Sequence, residues 1–455
     1  MVFGLLASAA MPEPLRGQGA DSPQPMLPNV ILCMSDDQGW GDTGYNGHAV
    51  LRTPHLDQMA AEGIRFQRFY AAAPVCSPTR GSCLTGRHPA RYGIPFANTG
   101  HLLPGEVTLA EVLKTRGYTT GHFGKWHLGT LTTRIKDSNR GRPGDDKHYA
   151  PPWVNGFDEC FSTEAKVPTY WQGDRYSTYG TSYWTGPNQR VPPEAIDVIR
   201  GDDSKLIMDR AIRFIEGAAN SETSFLAVIW FHTPHLPVVS APPYTDGYDK
   251  NQDYYGCLAA MDQQMGRLRS ELKRLAIENN TMLWFCSDNG PEGNDSAPGR
   301  TNGLRGRKRS LYEGGVRVPG LLVWPKMIRD ARVVTMPCST SDYFPTVLDV
   351  LDEPMPGSSD RSYDGISLLP LIRGVMERRT EPIGFQSRSQ TALIDNRYKI
   401  YRRRSADPYQ LYDLLADPGE QRDIAGEHPE IVARMQQTLK QWQQSCLASQ
   451  RRQAN

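Results

Sequence analysis

The chain has 455 residues, including 42 glycines and 35 prolines, and carries 51 Lys+Arg against 50 Asp+Glu, a formal net charge of +1. That balance excludes nucleic-acid or membrane-surface binding driven by bulk charge, and 38% hydrophobic residues in a chain long enough to bury a large core exclude a disordered protein. Eight cysteines are too sparse for a disulfide scaffold, and no run reaches the ~18 apolar residues of a membrane span.

The chain opens on MVFGLLASAA, an apolar run whose Ala7-Ser8-Ala9 would suit a signal peptidase. It is short and lacks a preceding Lys or Arg, so it reads as a weak or truncated export signal, with a frayed terminus as the alternative. The location it implies is periplasmic or secreted, and otherwise cytoplasmic. Residues 12–28 are rich in Pro, Gly, Gln and Ser and read as a linker, so 1–28 precede the fold.

Asn29 to Met34 (NVILCM) is a short apolar run, the pattern of a strand buried on both faces, and it stops at Ser35-Asp36-Asp37. Helices are expected over 54–64, with Pro54 in the first turn, and over 107–116. A third is expected over 204–216. Phe225 to Phe231 is a second buried strand, 252–278 carries helical periodicity, and Thr281 to Cys286 is a third strand, ending at Ser287-Asp288-Asn289. Gly320 to Trp324 is a fourth. Apolar strands alternating with helices predict an α/β fold with a mostly parallel sheet covered on both faces. After about Gly374 short alternating segments such as 392–401 predict antiparallel strands, closed by an amphipathic helix over 429–447. The division is therefore 29–374 as a catalytic unit and 375–455 as a small α+β subdomain.

Two core strands end in acidic pairs, Asp36-Asp37 and Asp288-Asn289. Ligands of open parallel sheets bind beyond the strand carboxyl ends, and three carboxylates with an amide carbonyl there make an all-oxygen site suited to Ca²⁺ or Mg²⁺. Either pair alone is as well explained by a turn or helix cap. Cys76-Ser-Pro-Thr-Arg80 reads as a loop entering a helix, where the helix N-terminus and Arg80 favour an anion. Gly124-Lys-Trp-His-Leu-Gly129 sets Lys125 and His127 two residues apart, on one side of an extended segment. His235 sits between prolines after the second core strand, and Lys308 closes a cationic Leu304-Arg-Gly-Arg-Lys308 run. Singly these are solvated loop charges or structural histidines. Together they point to a metal, two lysines and two histidines converging on a small tetrahedral anion.

Cys76-Ser-Pro-Thr-Arg80 with Leu84-Thr85-Gly86 resembles the C-x-P-x-R…TG signature of type I sulfatases, which directs oxidation of its cysteine to formylglycine. DDQGWGD at 36–42, GKWHLG at 124–129, PHLP at 234–237, SDNG at 287–290 and the GRK…LYEGG run at 306–315 extend the resemblance over most of the chain. It implies an alkaline-phosphatase-like fold: a large mixed sheet sandwiched by helices. It implies a sulfuric ester hydrolase with Asp36, Asp37, Asp288, Asn289 and the modified Cys76 around Ca²⁺, or Mg²⁺. By the same resemblance the formylglycine hydrate is the nucleophile that takes the sulfuryl group and later expels sulfate. Arg80 orients it, Lys125 and Lys308 hold sulfate oxygens, His235 protonates the leaving oxygen and His127 assists release. A formylglycine-generating or anaerobic sulfatase-maturing enzyme is the implied maturation partner. Thr79 replaces a common Ser, and Cys83, seven residues after Cys76, has a structural reading.

The tail of the DDQGWGD block and the regions around GRHPARYG at 86–93 and GKWHLG resemble the branch that contains arylsulfatase A and N-acetylgalactosamine-6-sulfatase-like enzymes, which implies a sulfated carbohydrate or aryl sulfate substrate. Aromatics of the 137–184 segment, among them Trp153 and Trp171, are expected either to stack on sugar or to pack under a long loop. The alternatives are a phosphonate or phosphate ester hydrolase of the same fold and a non-catalytic protein that binds sulfated glycan.

Overall fold

The structure is a computed structural model that describes residues 1, 26–171, 180–192, 201–357 and 359–454. The expected export signal, most of the linker and residues 172–179 of the aromatic-rich segment lie outside them. Among the described residues no helix is long and apolar enough to cross a membrane.

A ten-stranded mixed sheet forms the core. Its strands run, edge to edge, Arg332–Val334, Ile64–Phe66, Gly320–Val323, Thr281–Ser287, Asn29–Ser35, Phe225–Trp230, Thr119–Lys125, Glu159–Thr163, Tyr183–Gly186 and Gln189–Arg190. The five from Thr281–Ser287 to Glu159–Thr163 are mutually parallel. Side chains alternate across a strand, so an all-apolar strand needs cover on both sides. Val30, Leu32 and Met34 join a core with Trp126, Trp284 and Phe344 on one face. Ile31 and Cys33 join Phe214, Met261 and Leu268 on the other.

The four apolar runs are the expected strands, but Gly320–Val323 lies antiparallel to Thr281–Ser287. A parallel neighbour needs a long crossover. Only the four-residue helix Glu313–Val316 lies between Thr281–Ser287 and Gly320–Val323, in a stretch otherwise made of loop and the short strand Arg317–Val318. Thr119–Lys125 (TTGHFGK) has no apolar run, yet it is central and buried. A Cβ on Gly124, at φ +103°, would stand 2.0 Å from Trp230 O, so only glycine lets this strand approach so closely.

The expected helices appear with shifted ends. Pro54–Glu62 stops before Ile64 enters the sheet. Leu109–Thr115 starts after Thr108, whose hydroxyl and Glu111 form a capping box. Asp203–Asn220 begins at the Asp202 cap, and Gln252–Arg274 ends before a short 3-10 turn.

Strands Ile383–Ser387, Gln390–Asp395, Tyr398–Arg402 and Gln410–Asp413 form an antiparallel sheet. Met435 and Leu439 of the helix Pro429–Ala454 pack on its Leu393, Ile400 and Leu411. The buried Lys399 ammonium lies 3.0 Å from Glu313 and 2.9 Å from Glu420, tying this sheet to the 313–316 helix.

Candidate active site

Strand register assembles the site. Ser35 is level with Ser287, and Met34 with both Cys286 and Trp230, while Trp230 is level with Gly124. The four strands therefore end on one line, and the residues just past it, Asp36-Asp37, Asp288-Asn289, His235 and Lys125, meet at the carboxyl edge of the sheet. Asp37 turns sharply there, at φ +68°, and its backbone N–H donates to Asp288 Oδ1 at 3.1 Å. A left-handed φ is costly for a residue with a Cβ and collects at functional sites.

Cys76 is the first residue of the helix Cys76–Thr85, rather than part of a loop before it. Its sulfur therefore lies at the positive end of the helix dipole. Arg80, four residues on, shares its face. The fully buried Arg80 guanidinium donates through Nη2 (2.7 Å) and Nε (3.1 Å) to Asp288 Oδ2, and through Nη1 to Lys125 O at 2.9 Å. It also stacks over Trp230. Burial pushes the Cys76 thiol up, and Lys125 and Lys308 pull it part of the way back. Thr79 keeps a hydroxyl bonded to Ala73. Cys83 is two turns on and fully buried, the structural cysteine expected; all eight cysteines are unpaired.

Three carboxylates face three cations. Lys125 Nζ is 2.6 Å from Asp36 Oδ2, Lys308 Nζ is 2.6 Å from Asp37 Oδ2, and Arg80 holds Asp288. The Asp36 carboxyl is penalised by burial, but Lys125, His235 and Arg80 hold it well below its usual range. Asp288 is pushed up to about 7, by burial first and then by Asp36, with Arg80 opposing. Asn289 donates to Asp37 Oδ1 at 2.7 Å.

The donor set fits a hard divalent cation. Asp36 Oδ1 and Asn289 Oδ1 are buried oxygens without a hydrogen-bond partner. Ligand atoms of Asp36, Cys76 and Asp288 lie within 4.8 Å of one another, and so do those of Asp36, Asp37 and His235. Oxygens suit Ca²⁺ or Mg²⁺, and a buried oxygen left unpartnered is costly unless a cation takes it.

The two histidines are set in opposite ways. His235 Nδ1 donates to Leu236 O at 2.6 Å, which leaves Nε2 facing Asp37 Oδ2 at 3.7 Å. His127 Nε2 donates to Asn98 Oδ1 at 2.6 Å; Asn139 Nδ2 donates to the same oxygen and so fixes the amide's orientation. His127 Nδ1 is then a buried lone pair with no partner. Burial lowers both, His235 to about 4 and His127 well below the usual histidine range. His127 does not continue an extended segment from Lys125: the strand ends at Lys125, and His127 lies at φ +60°. Arg140 holds that turn, donating to His127 O at 3.0 Å while paired with the buried Glu164.

Cys76, Lys125, His127, His235 and Lys308 line one cavity of about 530 Å³. Asp36, Asp37, Arg80, Asp288 and Asn289 lie buried beneath it. All ten residues singled out in the sequence are thus in one constellation. Phe96, Asn98, Lys166, Glu292, Arg309 and Arg388 also line the cavity and carried no spacing or motif that marked them. Of the two expectations for the 137–184 aromatics, packing is the one met by Trp153, Trp171, Tyr183 and Trp184. Trp171, Tyr183 and Trp184 are in the hydrophobic cores, with Trp171 Nε1 and Tyr183 Oη on Asp203. Trp153 packs beside a core. Among the described residues of that segment, Asn139, Ala165 and Lys166 reach the cavity.

A family model described as Sulfatase matches residues 28–353, and one described as N-sulphoglucosamine sulphohydrolase, C-terminal, matches 306–445. The chain is 30% identical to the steryl-sulfatase of Mus musculus, over 90% of this chain and 81% of that protein. It is 34% identical to the N-acetylgalactosamine-6-sulfatase of Mus musculus, over 84% of this chain and 73% of that protein. The crystal structure of Ps i-CgsB in complex with k-i-k-neocarrahexaose superposes with a TM-score of 0.80 at 25% identity, covering 92% of this chain and 93% of that one.

Proposed function

This chain belongs to the sulfatase family, whose chemistry is the hydrolysis of sulfate esters, and from that premise we propose that it removes sulfate from a carbohydrate with Cys76, converted to formylglycine, as nucleophile. One observation carries the reading: Cys76 sits at a helix N-terminus with its sulfur within 4.8 Å of a ligand oxygen of Asp36 and of Asp288, in a cavity that Lys125 and Lys308 also line. A neutral thiol at that place is a poor nucleophile; a hydrated aldehyde supplies a hydroxyl to attack sulfur and a second to release sulfate.

Asp36, Asp37, Asp288, Asn289 and residue 76 would hold Ca²⁺ or Mg²⁺, which would supply Lewis-acid stabilisation of the sulfate oxygens. The remaining work belongs to the protein. Each lysine ammonium has three donors, so Lys125 and Lys308 keep N–H groups for sulfate oxygens beyond those given to Asp36 and Asp37. As charge builds on those oxygens, fixed cations stabilise it without reorganising. Arg80 fixes Asp288 and the first helical turn beneath residue 76. His235, its Nδ1–H committed to Leu236 O, presents Nε2 as the group that passes a proton to the leaving sugar oxygen once the negative charge of a bound sulfate offsets the burial that lowers the ring. His127 Nδ1, unpartnered, accepts a proton during release of sulfate. The sugar reading is supported by likeness to an N-acetylgalactosamine-6-sulfatase and to a structure in complex with k-i-k-neocarrahexaose.

The test is a pair of measurements on protein produced with a maturing enzyme. Mass spectrometry of the Cys76 peptide should show a loss of about 18 Da, the replacement of SH and H by an aldehyde oxygen. With Ca²⁺ present, sulfate release from 6-O-sulfated N-acetylgalactosamine and other sulfated sugars should exceed that from an aryl sulfate. Turnover of aryl phosphate or phosphonate esters above all sulfate esters, with Cys76 converted, would overturn the reading.

A further inference from the structure

The cavity holds more positive charge than one sulfate ester uses. Lys125 and Lys308 are paired with Asp36 and Asp37, and Arg309 is held by Glu292 through both Nη atoms. Lys166 and Arg388 also line the cavity, and neither has a carboxylate partner among the described residues. Both are exposed at its mouth.

Arg388 comes from the far end of the chain, in the turn between strands Ile383–Ser387 and Gln390–Asp395. Two features fix that turn against the cavity. The side chain of Gln390 donates to Arg309 O at 2.8 Å and accepts from Leu311 N at 3.1 Å, joining the hairpin to the segment that follows Lys308. Arg388 itself stands at φ +51°, a left-handed backbone, and its guanidinium carbon lies 3.8 Å from the centroid of the Phe96 ring. Stacking on an aromatic face holds a guanidinium flat and leaves its in-plane N–H groups free for an anion. The backbone leading into Lys166 is held as well, because Thr163 Oγ1 binds Ala165 O at 2.8 Å and, on its other side, His232, itself locked by the buried Asp203.

We propose that Arg388, laid over Phe96, together with Lys166, binds a second anionic group of the substrate. This rests on the sulfatase reading and narrows it: the preferred substrate is a sulfate ester that carries a further sulfate or a carboxylate, as acidic glycans do, rather than a sulfate on an otherwise uncharged alcohol. A lone guanidinium and a lone ammonium at the mouth of a cavity attract such a group and gain bidentate hydrogen bonds on contact.

The experiment measures inhibition constants against hydrolysis of 4-nitrophenyl sulfate by the converted, Ca²⁺-loaded enzyme. The probes are N-acetylgalactosamine 6-sulfate, its 4,6-disulfate, and a monosulfated disaccharide that contains a uronic acid. At least one doubly anionic probe should bind ten-fold or more tightly than the monosulfate, and which one does so separates a second sulfate from a carboxylate. Arg388→Ala should erase most of that preference, Arg388→Lys should restore part of it, and Lys166→Ala should reduce it. The monosulfate constant should move less than three-fold in each, and the preference should shrink as salt rises. Equal binding of all probes by the wild type, or an equal loss for single and double anions in Arg388→Ala, overturns the proposal. If 4-nitrophenyl sulfate is not turned over, the same constants are read by calorimetry: a preference that persists and depends on Arg388 upholds the second-anion site while the sulfatase reading fails.

Discussion

Arg80 and Asp288 meet through two hydrogen bonds to one carboxylate oxygen, 2.7 and 3.1 Å long, although 208 residues of chain separate them. Both are fully buried. The pair joins the helix that begins at Cys76 to the end of a core strand, and Arg80 Nη1 adds the end of a second strand through Lys125 O.

Breaking a buried pair leaves an uncompensated charge and costs about 3–5 kcal/mol. Arg80→Lys keeps the charge but loses the fork. It should lower kcat on an aryl sulfate by at least about 100-fold and lower Tm by several degrees. Steady-state kinetics and a thermal melt check both effects. An Arg80→Lys enzyme with wild-type kcat would show that the fork does not position residue 76.

Divalent cation should stabilise the fold as well as activate it. Asp36 Oδ1 and Asn289 Oδ1 are buried without partners, so a cation that binds them relieves a cost present only in the folded state. At about 100 times its dissociation constant a ligand adds about 2.7 kcal/mol. Chelation should therefore lower Tm, Ca²⁺ should restore it, and Asn289→Ala should blunt the restoration. A melt unmoved by chelator and Ca²⁺ would place no ion among these residues.

Stability should fall on acidification between pH 6.5 and 4 in part because of His88, which follows the helix Cys76–Thr85 and does not line the cavity. Burial pushes His88 down to about 4 from 6.5; the nearby Asp364 raises it and Arg91 lowers it. Its Nδ1 accepts from Ala90 N at 3.1 Å, as a neutral ring does. The folded state thus holds His88 neutral while the unfolded chain takes up a proton. Stability is fully present above pH 6.5 and is lost as pH drops towards 4, by at most about 3 kcal/mol for 2.5 pH units. Urea midpoints across that range should fall less steeply in His88→Asn than in the wild type; parallel slopes would assign the acid sensitivity to other groups such as His122, which burial also lowers.

Lys399→Met should loosen the junction between the C-terminal sheet and the catalytic core. Lys399 is fully buried between Glu313 and Glu420, and Tyr70 Oη donates to Glu313 at 2.9 Å. Without the ammonium, two carboxylates face each other with no cation between them. A loss of about 3–5 kcal/mol is expected by chemical denaturation. Limited proteolysis should then cut first between 374 and 430. A variant as stable and as protease-resistant as the wild type would show that apolar packing alone holds the sheet in place.

The sequence by itself determined the core strands, because a strand covered on both faces must be apolar along its buried length, as 30–34, 225–230 and 282–286 are. It also determined the chemical inventory, because Asp, Asn, Cys, Lys, His and Arg at strand ends and a helix start are legible as residue types. It could not show Thr119–Lys125 as a central strand, since its Gly124 serves close approach to the Trp230 backbone, a relation between distant segments. Nor could it sort the aromatics of 137–184: stacking on sugar and packing under the loop fit Trp171 and Tyr183 equally until Asp203 and the core are seen to claim them. Only the tertiary structure decided that Gly320–Val323 runs antiparallel, that register sets four strand ends level, and that Arg388 comes from the C-terminal hairpin to lie over Phe96 in the cavity. The physical reason is one of range. Hydrophobic periodicity acts over neighbours, whereas register, close approach and the convergence of charge are settled between segments that meet only when the chain has folded.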